Sequence, residues 1–122
     1  MEAQRDLRRE LGRRGEEAAA RYVRSLGYEI LERGLRLLRG EIDIVARRGG
    51  TLVFIEVKTR AGSACGRPEE SVTPAKQAQI RRIAQAYLAR HRSGDAPCRF
   101  DVIAVSFRAD GRPAVSHFAD AF

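Results

Sequence analysis

Three residues in the middle of the chain have the types and spacing that metal-dependent chemistry requires. Asp43 and Glu56 lie on two predicted neighbouring strands, and Lys58 shares a strand face with Glu56 because side chains alternate along a strand. Opposed carboxylates repel each other, and burial in a sheet penalises their charges further. A hard cation such as Mg²⁺ offsets that cost, since it binds one or two carboxylates together with water and phosphate oxygens. Because Lys58 can orient a water or neutralise a phosphoryl transition state, the trio predicts phosphate-ester chemistry.

A predicted hairpin brings the two carboxylates together. Residues 41–47 alternate between polar and apolar types, and residues 51–59 are rich in β-branched side chains, so both are predicted strands. The Gly49-Gly50 pair between them favours a two-residue turn. In the register that this turn sets, Asp43 lies directly opposite Glu56, whereas a slip of one residue would separate them. A simple salt bridge of Asp43 is the structural alternative.

Periodicity places further polar residues around this trio. Glu41 is predicted to support the site or to pair with an arginine. Glu16 borders the apolar stripe of the first helix, so it is a candidate acid for the site, with a partly buried helix carboxylate as the alternative. Lys76 and Gln79 lie on the first turns of the second helix and can reach the site, a phosphate or only solvent. Asp101 is predicted to be a structural hydrogen-bonding group. Strand alternation assigns Glu41, Asp43 and Val45 to one face and Ile42, Ile44 and Ala46 to the other.

The elements that must position these residues predict a mixed α/β domain. Thr73-Pro74 supplies an N-cap and a first helical residue, and residues 60–73 before it are a predicted loop. The order is helix, three strands, helix and one or two strands, which is typical of a mixed sheet flanked by helices. Helices are predicted over 4–26 and 74–91, and strands over 28–33, 41–47, 51–59, 99–107 and 114–118. The apolar stripe of the first helix is predicted to consist of Leu7, Leu11, Ala18, Tyr22 and Leu26, and that of the second of Ile80, Ile83, Ala84, Tyr87 and Leu88.

The composition bounds the class of protein. The 122 residues predict one domain over 1–122, with 1–10 and 109–122 as its periphery, and the net charge of +7 favours nucleic acid over a membrane surface as partner. No apolar run approaches a membrane span, and the N-terminal residues lack a signal core, so a cytoplasmic location is expected. The cysteines lack metal-ligand spacing and the histidines are isolated, which disfavours zinc and triad chemistry. These residues are Cys65, Cys98, His91 and His117.

Lysine is rare in a chain that is rich in arginine. Of the 23 basic residues, only Lys58 and Lys76 are lysines. Lysine offers a compact charge whose pKa can shift, which arginine cannot offer. Chance is the alternative explanation, and it suffices for Lys76 alone. The arginines on the two helices and just after the second are consistent with contacts to a phosphate backbone, or with a solvated face. They are Arg5, Arg8, Arg9, Arg13, Arg14, Arg81, Arg82, Arg90 and Arg92.

The motifs also resemble a known superfamily. Asp43 followed by Glu56-Val57-Lys58, after a strand, a turn and a strand, resembles the PD-(D/E)XK nucleases. More closely, five blocks in order resemble the bacterial YraN-like family, which is distantly similar to archaeal Holliday-junction resolvases. The blocks are GRRGEEAAARYVRSLGYEIL, GEIDIVA, FIEVKTR, TPAKQAQI and RFDVIAV.

The resemblance implies a restriction-endonuclease-like core and a metal site. Mg²⁺, or Mn²⁺ in its place, would be held by Asp43, Glu56 and the main-chain carbonyl of Val57. Lys58 would be the catalytic lysine, and Glu16 a helix-borne acid. The implied activity is that of a metal-dependent DNA endonuclease that hydrolyses backbone phosphodiesters, with branched DNA as its substrate and a homodimer as its assembly.

Two positions depart from the family pattern, and two other functions stay open. Ile42 stands where the superfamily motif has proline, and Gly34 where the YraN-like family is expected to carry asparagine. A fold does not determine an activity, so the alternatives are a non-catalytic nucleic-acid-binding module and a subunit of a larger assembly. The retained carboxylates argue against the first. The expected sign of the second is an exposed apolar patch at Phe118 and Phe122.

Overall fold

The computed structural model describes residues 2–60, 72–91 and 95–122, which form two helices and one five-stranded sheet. The strand order is β1-β2-β3-β4-β5, with β3 and β4 parallel and the other neighbours antiparallel. The predicted mixed α/β fold is confirmed. Residues 61–71 of the predicted loop, Cys65 and Arg92 lie outside the described residues. The elements are α1 (Glu2–Ser25), β1 (Glu29–Leu37), β2 (Gly40–Arg48), β3 (Thr51–Arg60), α2 (Pro74–Arg90), β4 (Cys98–Phe107) and β5 (Pro113–Phe118).

One helix covers each face of the sheet. On one face, α1 packs Ala19, Ala20 and Val23 against side chains of β2, β3 and β4. On the other face, α2 packs residues such as Ile83 against the same strands. The central strand β3 is buried without interruption over 52–57, as expected of a strand that is covered on both faces. These two apolar layers hold the site residues of β2 and β3 between the helices.

The predicted register of the β2–β3 hairpin is confirmed. Gly49, at φ 60°, supplies a left-handed residue that a tight hairpin turn needs. The pairing ends one residue short of Asp43, so Asp43 and Glu56 lie at the end of the ladder rather than inside it. The cross-strand pairs run from Arg48 with Thr51 to Ile44 with Ile55.

Strand β2 does not keep one face along its length. Ile44 and Ala46 pack in the core under α1, whereas Ile42 packs together with Val45 in the core under α2. The prediction that Ile42 shares a face with Ile44 is therefore wrong. The prediction that Val45 shares a face with Glu41 and Asp43 is also wrong, because the carboxylates of those two residues lie beside Glu16 of α1. Regular alternation fails because the strand changes its facing between Ile42 and Ile44.

Strand β1 changes its facing at the same level. Arg33 forms an ion pair with Glu17 of α1, with 3.0 Å between nitrogen and oxygen, whereas Leu35 packs against the core under α2. Gly34 between them has φ 61°, which glycine adopts without strain. Asparagine also tolerates this conformation, so the departure from the expected family residue keeps the local geometry. The joint change of face leaves Glu41 on the α1 side of the sheet.

Helix α1 extends past the sheet at its N-terminal end. It spans Glu2–Ser25 rather than 4–26, and residues 2–10 are all exposed. Leu7 is 70% exposed and Leu26 is 40% exposed, so the predicted apolar stripe through these two residues is wrong. Only the part of the helix that lies over the sheet has an apolar surface to cover, and Leu26 already lies in the turn after the helix.

Gly15 sets the separation between α1 and β3. A Cβ at Gly15 would overlap the side chain of Thr59, whereas a Cβ at Gly12 would meet nothing within 4 Å. We expect Gly15→Ala to lower the free energy of unfolding by about 1–3 kcal/mol through overpacking. We expect Gly12→Ala, the matched control, to raise it by about 0.5–1 kcal/mol through helix propensity. Urea unfolding of the two variants measures the difference, and equal effects would contradict this packing.

Helix α2 begins as the sequence predicts. The Thr73 hydroxyl accepts a hydrogen bond from the N–H of Lys76 at 3.2 Å, and Pro74 takes the first helical position. The helix ends at Arg90, with His91 as its C-cap. Four predicted core residues are buried, namely Ile80, Ile83, Ala84 and Tyr87, and Leu88 is half-buried.

The C-terminal residues complete the far edge of the sheet. Strand β5 pairs with β4, which confirms the predicted edge strand, beginning at Pro113 rather than at 114. Phe122 stacks on Phe100 with 5.4 Å between ring centroids, and Phe118 packs against the core under α2. Phe118 and Phe122 are half-buried, so they do not form the exposed patch expected of an assembly subunit.

Asp101 is a fully buried structural acid. Two hydrogen bonds from Arg99, each 2.8 Å long, and one from the N–H of Asp120 at 2.9 Å reach its carboxylate, and Nε2 of His117 lies 2.7 Å away. Burial opposes ionisation, but these hydrogen bonds hold the pKa of Asp101 below its usual value. The predicted structural role is confirmed, although sequence spacing gives no sign of the His117 contact.

Candidate metal and active site

The candidate site forms where β2 and β3 stop pairing. Oδ2 of Asp43 accepts a hydrogen bond from the N–H of Val57 at 2.8 Å. In a continued antiparallel ladder, the N–H groups of β3 would donate to main-chain carbonyls of β2. At Val57, the side chain of Asp43 takes the place of such a carbonyl. This bond holds the Asp43 carboxylate at the end of the ladder, beside the residue that follows Glu56.

Three carboxylates converge at this end of the ladder. One oxygen each of Glu16 on α1 and of Glu41 and Asp43 on β2 lies within 4.8 Å of the others. The close approach of α1 at Gly15 allows Glu16 to reach β2. The change of face at Gly34 brings Glu41 to the same side. All three carboxylates are half-buried, so water screens their mutual repulsion only in part.

Glu56 is the most buried acid of the site, and its carboxylate is incompletely paired. The residue is only 9% exposed. Its Oε1 lies 4.0 Å from Nζ of Lys58. Its Oε2 is buried and has no hydrogen-bond partner among the described residues. A buried polar atom without a partner is destabilising, so this oxygen is a candidate ligand atom for a cation.

Both lysines of the chain act on this one carboxylate. Burial raises the pKa of Glu56, and the positive charges of Lys76 and Lys58 offset that effect only in part. Lys58 approaches from β3 itself, and Lys76 from the first turn of α2. The two lysines of an arginine-rich sequence therefore converge on the deepest acid of the site.

Asp43 is also hard to ionise. Burial, reinforced by the negative charge of Glu56, raises the pKa of Asp43 to about 8, although the hydrogen bond from Val57 works in the opposite direction. Glu16 adds to the increase through its charge. Near neutral pH, this arrangement favours either a retained proton or a bound cation over bare charge.

The donor set suits a hard divalent cation. The candidate ligands are carboxylate oxygens from Glu16, Glu41, Asp43 and Glu56. Oxygen ligands of this kind suit Mg²⁺ and Mn²⁺, whereas thiolate and imidazole ligands suit zinc. Two observations fit a cation here, namely the unpartnered Oε2 of Glu56 and the raised pKa of Asp43.

Comparison with known sequences identifies the family. Residues 15–105 match the family described as uncharacterised protein family UPF0102. The chain belongs to the UPF0102 family. The match begins at the glycine where α1 approaches β3 most closely and ends within β4, so it includes every residue that contributes a carboxylate to the site. The predicted YraN-like membership is confirmed at this level.

Individual UPF0102 relatives match over nearly the whole chain. The UPF0102 protein of Syntrophotalea carbinolica is 53% identical over 112 residues, which are 92% of this chain and 90% of the relative. That of Symbiobacterium thermophilum is 50% identical over 106 residues, 87% of this chain and 90% of the relative. That of Geotalea uraniireducens is 49% identical over 112 residues, 92% of this chain and 88% of the relative.

The structure of this UPF0102 member brings most of the predicted site residues together, while their roles stay predictions. Glu41, predicted only to support the site, is one of the three converging carboxylates, and the change of face at Gly34 is the signal that sequence reasoning missed. Gln79 donates to the Arg39 carbonyl at 3.5 Å rather than to an acid of the site. The predicted residues that lie together are Glu16, Asp43, Glu56, Val57, Lys58 and Lys76.

Neither helix of the described ranges combines the length and the apolar character that crossing a membrane would require.

Proposed function

We propose that this UPF0102 protein is a metal-dependent DNA endonuclease that hydrolyses backbone phosphodiesters on a restriction-endonuclease-like core. The observation that carries the proposal is the Glu56 carboxylate, buried with one oxygen unpartnered among the described residues, beside Asp43 and 4.0 Å from Lys58. Acids that are mutually repulsive and desolvated are costly in a merely structural role. Membership in the PD-(D/E)XK superfamily is part of the same proposal.

The proposal gives each residue of the site a task. Asp43 and Glu56 would hold the cation together with the Val57 carbonyl, and Glu16 and Glu41 would hold it directly or through water. When bound, Mg²⁺ or Mn²⁺ supplies a Lewis acid for the phosphate and lowers the pKa of a coordinated water. The hydrogen bond from the N–H of Val57 keeps the Asp43 carboxylate oriented toward the site.

The lysines supply positive charge at the site. Lys58 lies too far from Glu56 to form a hydrogen bond with it, so the carboxylate oxygens stay available to a cation. Lys58, 4.0 Å from Glu56 and half-buried, can donate to an attacking water or to a phosphate oxygen on which charge develops. Lys76, at the first turn of α2, acts on Glu56 through its charge and would contact the phosphate as a second cation. Gln79 would help hold the neighbouring hairpin through the Arg39 carbonyl.

The basic surface favours nucleic acid as the substrate. The chain carries a net charge of +7, and the arginines in the first half of α1 are exposed. Cations of this kind bind phosphates without reading the base sequence. We therefore include DNA as the partner in the proposal. The proposal also keeps the cytoplasmic location expected from the sequence, and a homodimer by resemblance to the resolvases.

Metal-dependent cleavage tests the proposal. Purified protein is incubated with labelled duplex, single-stranded and four-way-junction DNA in Mg²⁺, Mn²⁺ or EDTA. We expect strand cleavage in Mg²⁺ or Mn²⁺ and none in EDTA. DNA binding without cleavage in either metal would overturn the enzymatic proposal and leave a nucleic-acid-binding module. Cleavage that persists unchanged in Asp43→Asn would mean either a contaminating nuclease or a site assigned to the wrong residues.

A further inference from the structure

The turn between β1 and β2 has an unusual sequence for its conformation. It consists of Leu38 and Arg39, at φ 51° and 61°, and joins the paired residues Leu37 and Gly40. Two consecutive left-handed residues define the tight hairpin turn that normally takes Asn-Gly or Asp-Gly. A bulky leucine is strained there. Strained backbone conformations of this kind cluster at functional sites, where the side chain serves binding or catalysis rather than folding.

The turn presents an apolar tip between two cations. Leu38 is 62% exposed. Arg36 and Arg39 on either side of it are exposed, and neither forms an ion pair with any residue of the described ranges. This combination fits a polyanion with an apolar interior, which is the chemistry of DNA, where phosphates surround stacked bases.

The turn is fixed beside the candidate site. Residues 36–41 line a cleft of about 460 Å³, and the last of them is Glu41 of the three-carboxylate group. The side-chain amide of Gln79 on α2 donates to the Arg39 carbonyl at 3.5 Å. Gly40 has no side chain, which leaves space for Gln79 and Ile83 of α2 to pack against the strand. The tip is therefore held at a set position relative to the acids.

We infer that this turn is a DNA wedge, in which Leu38 enters an unstacked base step while Arg36 and Arg39 contact the flanking phosphates. Apolar side chains that enter base steps unstack them and kink the duplex. An already interrupted step, at a branch, nick or bulge, is cheaper to enter than a continuous one. The wedge thus selects DNA with a local break in stacking. The inference deepens the proposed function and rests on DNA being the substrate of the site.

The test measures unstacking directly, without cleavage. A four-way junction and a continuous duplex of the same sequence each carry 2-aminopurine, placed beside the branch or at the equivalent duplex position. Binding is followed in EDTA by the fluorescence of 2-aminopurine, which rises on unstacking. Leu38→Asn removes the apolar tip and places a residue favoured at positive φ, so the fold is retained. Leu38→Met retains an apolar tip, and Leu26→Asn removes a different exposed leucine as the matched control.

We expect wild type, Leu38→Met and Leu26→Asn to raise the fluorescence of the junction and to prefer it over the duplex. In Leu38→Asn we expect the rise to disappear and the preference to fall about tenfold, which corresponds to 1.4 kcal/mol. Leu38→Gly, equally compatible with the turn, should behave in the same way. An unchanged rise and preference in both Leu38→Asn and Leu38→Gly would overturn the wedge, as would a wild type that gives no rise.

The outcomes separate this inference from the proposed function. A Leu38-dependent rise in a protein that never cleaves in Mg²⁺ or Mn²⁺ supports the wedge and overturns the endonuclease. Metal-dependent cleavage with a junction preference that Leu38→Asn leaves intact supports the endonuclease and overturns the wedge.

Discussion

Glu56→Gln, Asp43→Asn and Lys58→Ala should each slow metal-dependent DNA cleavage by at least about 10³-fold, roughly 4 kcal/mol of transition-state stabilisation. Glu56→Gln keeps the size of the side chain but replaces an anionic oxygen by an amide, so the buried position can no longer hold a cation with the same charge. Asp43→Asn removes the negative charge of the neighbouring carboxylate, which is the other main ligand proposed for the cation. Single-turnover cleavage of the preferred DNA in Mg²⁺ gives the three rates.

A matched control distinguishes the slower cleavage of these variants from the effect of removing any carboxylate charge. Glu29→Gln makes the same chemical change on β1, where Glu29 is exposed and bonds to Arg47 at 2.6 Å, and it should cleave at the wild-type rate. Lys58→Arg retains positive charge but not the compact ammonium, and it should recover only part of the activity. Wild-type rates in Glu56→Gln would refute its assigned role.

Asp43→Asn, which should slow cleavage, should also stabilise the metal-free fold. At pH 8 and in EDTA, we expect Asp43→Asn to raise the free energy of unfolding by about 2–4 kcal/mol. Burial and Glu56 raise the pKa of Asp43 from its ordinary 3.8 to about 8, so charging this carboxylate costs free energy in the folded state. The amide avoids that cost. A group that mainly held the fold together would give the opposite sign.

The dependence on pH follows from the same shift. Between about pH 4 and 8, folded Asp43 retains a proton that the unfolded chain has released, so the metal-free wild type loses stability as pH rises through this range. Below pH 4 both states are protonated and the difference from Asp43→Asn vanishes. Mg²⁺ binds ionised carboxylates, so it should restore stability to the wild type at pH 8 but much less to Asp43→Asn.

Urea unfolding at pH 5 and pH 8, with EDTA or Mg²⁺, measures all four conditions. Asp110→Asn serves as the control, because Asp110 is exposed and its side chain lies 3.8 Å from Arg112 as a surface pair. Its stability should follow the wild type at both pH values. A metal-free Asp43→Asn protein that is less stable than the wild type at pH 8 would contradict the account.

Local patterns predict the pairing of β2 with β3 and the start of α2 in this protein. The Gly49-Gly50 turn sets a register by itself, and Thr73-Pro74 fixes the start of α2. Both can therefore be predicted without tertiary information, and the structure confirms both. The predicted approach of Asp43 to Glu56 follows from that register. The rarity of lysine likewise directs attention to Lys58 and Lys76, whose charges both reach Glu56 in the structure.

What the sequence does not predict depends on how elements pack. The alternation rule places Ile42 with Ile44 because it assumes an unbroken strand, whereas both β1 and β2 change face at the level of Gly34. That change decides whether Glu41 supports the site or belongs to it. The predicted burial of Leu7 on α1 is wrong for a related reason, since periodicity cannot tell where the sheet beneath the helix ends.

Binding of Mn²⁺ to the DNA-free protein tests whether these acids form a cation site. Free Mn²⁺ is measured by electron paramagnetic resonance during titration of the wild type, Glu56→Gln and Glu29→Gln. We expect saturable binding to the wild type and Glu29→Gln, and at least about tenfold weaker binding to Glu56→Gln. Equal binding by wild type and Glu56→Gln, or none by the wild type at millimolar Mn²⁺, would contradict the proposed cation site.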